Sequence, residues 1–131
     1  YEGRFDRMDR GRLIPGPDRQ IPIWIGGFGK AAFRRGAKYG DGFMFAGTTE
    51  RCLEGWTDVQ RRLGENGRGT DGYGADLLTT ASKSVDDVLR AIDAWDTVGG
   101  THVSVVCTGM GLDSTEAHLD FIHQVAERRP R

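Results

Sequence analysis

The sequence has little that would tie it covalently or to a membrane. Its 131 residues hold two cysteines, Cys52 and Cys107. They are too few and too far apart for a disulfide framework or a metal motif, so a reducing cytoplasm is the simplest home. No apolar run approaches the roughly 18 residues a membrane-spanning helix needs, and no signal peptide is recognisable, so neither export nor a membrane span is expected. An excess of one charge is missing too: 18 Lys and Arg stand against 19 Asp and Glu, a net charge of -1 with both signs mixed. That excludes the basic field that nucleic-acid and anionic-membrane binders rely on. The first residue is Tyr1 rather than Met, which leads us to expect residues upstream.

What is present is glycine, 20 residues of it, without any collagen-like period and gathered at turns between apolar runs. The length suits one compact unit with a usable core. The organising stretch is residues 21–32, IPIWIGGFGKAA. Residues 21–25 are mostly β-branched or aromatic, the composition of a strand buried on both faces. The run stops at Gly26-Gly27-Phe28-Gly29, where glycines remove side chains and allow positive φ. A helical pattern follows at once, with Phe33 and Ala37 on one face and Lys30, Arg34 and Lys38 on another. Strand, glycine turn and helix place free backbone N–H groups where they can face an anion. Two readings of the local pattern stay open: a phosphate-gripping turn, or an ordinary tight connection.

Residues 1–20 alternate acidic and basic groups and end in Pro-Gly-Pro, a lead-in segment with Phe5, Met8 and Leu13 as candidate anchors. After the helix that runs to about Tyr39, Gly40-Asp41-Gly42 turns the chain into a strand at 43–46, and Asp41 reads as a turn-bonding residue. Thr48 or Thr49 can cap a helix reaching about Leu63, with Leu53, Trp56, Val59, Gln60 and Leu63 inward. A third strand is expected near 75–80. Ser84 with Asp87 resembles a capping box for a helix carrying Val85, Val88, Leu89, Ile92 and Trp95, which stops at Gly99-Gly100. A fourth strand spans 102–107, and a last helix starts near Asp113 or Ser114 and presents Ile122 and Val125, with Leu119 or Phe121 beside them.

Regular β-α alternation of this kind means parallel strands joined by right-handed crossovers, either an open doubly wound sheet or an arc of a closed barrel. Gly27-x-Gly29-x-x-Ala32 also matches a variant of the dinucleotide fingerprint, the basis for an alternative nucleotide-binding, Rossmann-like reading. Against it, no acidic residue ends the second strand to grip a ribose. His102 would open a strand at the non-catalytic end, and His118 and His123 lie five apart on a helix, which is not a metal spacing. Cys107 sits near a catalytic-side strand end, where a plain buried cysteine is the simpler reading. Asp86, Asp87 and Asp93 read as a wetted helix surface, and Trp24, Trp56 and Trp95 as core or packing groups. No metal site and no catalytic residue is assigned.

The succession YEGRF, PGPDRQIPIWIGG, AAFRRGAKYGDGF, a capped helix ending in NGRG, and a later THVSVV strand with its closing helix resembles the bacterial-luciferase-like family, or luciferase-like monooxygenases. These are flavin- or deazaflavin-dependent oxidoreductases on a TIM (β/α)8 barrel. A complete barrel takes about 250 residues, so the resemblance implies four βα units with a parallel sheet, forming the C-terminal half. Residues 1–20 would belong to the barrel insertion and 21–131 to units five to eight. The resemblance also places the cofactor phosphate, of the deazaflavin coenzyme F-420 or of FMN, against Gly26, Gly27, Phe28 and Gly29. Lys30 would be the nearest cation, although it also starts a solvated stripe. Thr48 and Thr49 would form a further phosphate or substrate rim, with capping the commoner role for at least one of them. An open half-barrel exposes two sheet edges and its inner face. It would therefore need the missing N-terminal half, a second copy of the chain or another protein, and is expected to run as a dimer or larger. A non-catalytic, truncated association module is the remaining reading.

Overall fold

The computed structural model describes residues 1–11 and 14–129. Four strands and four helices alternate: β1 (Trp24–Gly26), α1 (Lys30–Tyr39), β2 (Gly42–Ala46), α2 (Thr49–Glu65), β3 (Gly74–Leu78), α3 (Val85–Thr97), β4 (His102–Ser104) and α4 (Thr115–Arg128). All neighbouring strands are parallel, in the spatial order β1-β2-β3-β4. A doubly wound nucleotide-binding sheet reverses its strand order at a switch point. This sheet does not, so the Rossmann-like alternative is corrected to a barrel arc, and the helices pack on one another in chain order on one side.

Alternation along the strands separates two faces. Phe43, Phe45, Ala75 and Leu77 turn toward the helices and, with Trp56, Val59, Leu63 and Trp95, make the main core. A second cluster of Val88, Ile92, Phe121 and Val125 lies under α3 and α4. The opposite, concave face carries Trp24, Met44, Asp76, Leu78, His102 and Ser104, as the ladder register requires. At its amino end the Trp24 ring lies over Gly42 and Gly74, where a Cβ would stand 2.6 Å and 2.0 Å from the indole. Only glycine fits beneath that ring. His102 meets Trp24 edge-on at 5.0 Å between ring centroids.

Helix boundaries follow their caps. Thr48, Ser84 and Ser114 each accept a hydrogen bond from the backbone N–H three residues on, satisfying donors a helix start leaves free. Asp41 ties β1 to β2, since Ile23 N donates to its carboxylate at 2.9 Å. Arg68 reaches back to the end of α1, donating to the carbonyls of Ala37 and Gly40 at 2.9 and 2.8 Å.

Several expectations are revised. The first strand begins at Trp24 rather than at residue 21, and Ile21 and Ile23 are exposed. They flank an edge strand paired on one side only, so the apolar run is not buried on both faces. The fourth strand likewise ends at Ser104. On α4 the buried pair is Phe121 and Val125, four residues apart, while Leu119 and Ile122 are exposed. Phe5 and Met8 are exposed rather than anchored, and Leu13 lies outside the described residues.

Candidate functional site

The ladder pairs Ile25 with Phe43 and Gly26 with Met44, so the loops that leave β1 and β2 emerge side by side at the carboxyl ends of the strands. They enclose a cavity of about 240 Å³ lined by Gly27, Phe28 and Gly29 from the first loop and Ala46 and Gly47 from the second. Arg51 and Cys52, from the first turn of α2, complete the wall, with Phe33 and Phe45 as its apolar floor. Gly27 and Gly29 have φ of 137° and 79°, conformations that side chains disfavour. This geometry favours glycine on either side of Phe28. Among the described residues the N–H groups of Gly27, Phe28 and Gly29 donate to no protein acceptor. The Gly29 N-cap of α1 offers no side-chain cap either.

Of the residues singled out from the sequence, Gly27, Phe28 and Gly29 line this cavity, while Gly26 pairs within the sheet and Lys30 is exposed beside it. Thr48 and Thr49 face elsewhere, toward a second cavity between α2 and α3 shared with Ser82, Asp87 and Arg90, and Thr48 serves as the cap of α2. Arg51 was missed. The available signal was its place in the first turn of α2, three residues past the capping Thr48. A roomier cavity, about 530 Å³, opens at the other end of the sheet among Gln20, Trp24, Asp41, Tyr73 and His102. Its size carries less weight than its place, because it is the lower mouth of an arc that does not close, far from the carboxyl rim where barrel enzymes work.

Burial, helped by the negative charge of Glu50, pushes the Cys52 thiol up to about 11 from an ordinary 9.0, so it stays protonated and is no nucleophile at neutral pH. Burial likewise pushes Tyr73 up to about 12, Asp41 adding to the rise and Arg68 opposing it. The unfolded chain loses these protons first, so the contribution of Cys52 to stability is whole below pH 9 and falls as the pH climbs toward 11, and that of Tyr73 falls between about 10 and 12. Melting temperatures measured across that interval are expected to decline, and more shallowly in Cys52→Ala. Equal slopes in the two proteins would contradict the burial of this thiol.

Comparison with known proteins follows the same outline. The sequence profile of the luciferase-like monooxygenase family matches residues 1–129. Uncharacterized proteins of Mycobacterium tuberculosis (strain H37Rv) and Mycobacterium bovis are each 30% identical over 93 residues, 71% of this chain and 32% of theirs. The chain thus spans about a third of the length of these curated relatives. Among solved structures, the coenzyme F420 dependent tetrahydromethanopterin reductase from Methanopyrus kandleri has a similar fold. Its TM-score is 0.66 at 14% identity, over 98% of this chain and 57% of that one.

Proposed function

Because this chain belongs to the luciferase-like monooxygenase family, we propose that it supplies the phosphate anchor and one cavity wall of a flavin- or deazaflavin-dependent oxidoreductase. Residues 21–131 act as the C-terminal half-barrel, and residues 1–20 as part of the insertion that precedes it. The observation that carries the reading is that Gly27, Phe28 and Gly29, whose amides donate to no acceptor among the described residues, line one cavity at the carboxyl rim together with Arg51.

The residues fit the phosphate of FMN or of the deazaflavin coenzyme. A phosphate accepts hydrogen bonds on every face, and free N–H groups at a helix start meet it with the positive end of the α1 dipole. Arg51 adds a charge-assisted contact, which is shorter and stronger than a neutral one. Phe33 and Phe45 keep the floor dry, which strengthens each of these contacts. When bound, such a cofactor supplies hydride transfer or, as reduced flavin, oxygen activation. This half holds and orients it. We assign no catalytic residue, and the groups that steer protons near the ring fall to the other half. The substrate is a small organic molecule, and the working place is the cytoplasm.

Titration of FMN and of reduced deazaflavin coenzyme against the purified chain tests the reading. Micromolar binding of one of them is expected, weakened about tenfold or more in Arg51→Ala, in keeping with a hydrogen bond to a charged group. A folded chain that binds neither would point to the association module. A preference for a nicotinamide dinucleotide over both would contradict the reading.

A further inference from the structure

Helix α1 carries its charges differently from the helices that follow it. Its ten residues, KAAFRRGAKY, include Lys30, Arg34, Arg35 and Lys38 and no acid. All four cations are exposed, and none lies within ion-pair distance of a carboxylate among the described residues. The later helices join cations to acids: Arg62 pairs with Asp58, Arg90 with Asp87 and Arg128 with Asp86. The arrangement on α1 costs stability at two points. Lys30 stands in the first turn, where the positive end of the helix dipole disfavours a cation. Lys30, Arg34 and Lys38 follow at intervals of four, so like charges stand on neighbouring turns and repel. Lys38 is compensated, because it lies in the last turn and its ammonium sits 4.9 Å from the Tyr39 ring centroid. Among the described residues nothing does the same for Lys30 and Arg34. Local rules broken without a return inside the fold are expected at functional sites.

The row of cations begins where the glycine turn ends. Lys30 directly follows Gly29, which lines the cavity at the carboxyl rim. The helix then carries Arg34 and Lys38 away from the rim, at intervals of roughly 6 Å along its axis. A ligand that ended at its phosphate would fill the turn and leave this row empty. One that continued past the phosphate as a chain of carboxylates would meet a cation at each helical turn, relieving the repulsion along α1. FMN ends at its phosphate, whereas the deazaflavin coenzyme continues into such a chain.

We propose that the exposed face of α1 binds an acidic chain carried by the cofactor's phosphate, and so selects the deazaflavin coenzyme over FMN. The proposal rests on the phosphate reading above and deepens it by naming the kind of ligand. Isothermal titration of three ligands tests it: the deazaflavin coenzyme, the same coenzyme stripped of its carboxylate chain, and FMN. Each is titrated into the unaltered chain and into Arg34→Gln/Arg35→Gln. At low salt the full coenzyme is expected to bind about tenfold more tightly than the stripped form, the sum of several exposed ion pairs. That difference is expected to shrink as the ionic strength rises. The double variant is expected to bind the full coenzyme about fivefold more weakly and the stripped form as before, since two such pairs are lost. Its melting temperature is expected to be unchanged or higher, because repulsion along α1 is relieved. Equal affinity for the full and stripped coenzyme, a preference for FMN, or a lower melting temperature in the variant would overturn the proposal and leave the phosphate turn standing. A folded chain that binds none of the three would sink the phosphate reading and this one together.

Discussion

Replacing Trp95 by alanine is expected to cost the fold about 3–5 kcal/mol, the range for truncating a large aromatic in a core. Trp95 is fully buried on α3. Its Nε1 donates to the carbonyl of Ala75 at 3.2 Å, so the indole joins helix to sheet by a hydrogen bond as well as by contact. Phe45 meets it edge-on at 5.3 Å and Trp56 at 6.5 Å between centroids. Alanine would leave a cavity between α2, α3 and β3, while the Ala75 carbonyl keeps the Thr101 backbone N–H and hydroxyl as donors. A domain of this size has a total stability of about 5–15 kcal/mol, so the loss removes a large share of it. Trp95→Phe keeps most of the volume and loses the donor, and is expected to cost about 1–3 kcal/mol. Denaturant midpoints at equal slopes measure both. A loss below about 1 kcal/mol for the alanine variant would mean the aromatic cluster is not the core.

Gly27 bears the second large effect, on binding. Its φ of 137° and the approach of an added Cβ to within 3.0 Å of Ala32 make any side chain strained, and an aspartate there would also place a negative charge where the phosphate sits. Comparing Gly27→Asp with Gly27→Asn separates the two causes, because the side chains are the same size. Asparagine is expected to weaken cofactor binding about tenfold, the cost of strain of 1–3 kcal/mol at a disfavoured φ. Aspartate is expected to weaken it a further hundredfold or so, a like charge at a buried anion site being worth several kcal/mol. Isothermal titration provides the measurement. Equal losses in the two variants would show that the turn acts through its shape and not as an anion cradle.

How legible all this was differs between elements. The succession of strand, glycine turn and helix within 21–32 could be read directly, as could the cap at Ser84 and the pairs Thr48 or Thr49 and Asp113 or Ser114 that hold the other two caps, because each is a local agreement of side-chain type, spacing and backbone need. Helix faces built on full periodicity, such as Trp56, Val59 and Leu63 on α2, also came through. The errors sit where local pattern and environment part. Ile21 and Ile23 look like a buried strand, yet they flank an edge. Ile122 carries the apolar pattern of α4, yet Phe121 and Val125 take the inward positions because the second cluster meets the helix on that side. Thr48 and Thr49 line the cavity between α2 and α3, while Gly47 and Arg51 line the one beside the glycine turn.

The sequence by itself determined the alternation of strands and helices, the glycine turn after the first strand, and the family, since these depend on neighbours within a few residues or on an ordered set of short motifs. Only the tertiary structure decided the strand order that excludes a doubly wound sheet, the meeting of Arg51 with Gly27 to Gly29, and the burial of Asp76 on the inner face. The reason is physical. Such contacts join residues more than twenty positions apart, and they are set by register and by which face of the sheet the helices cover. No local periodicity in GADLL tells Asp76 whether it will look toward a helix or into a barrel.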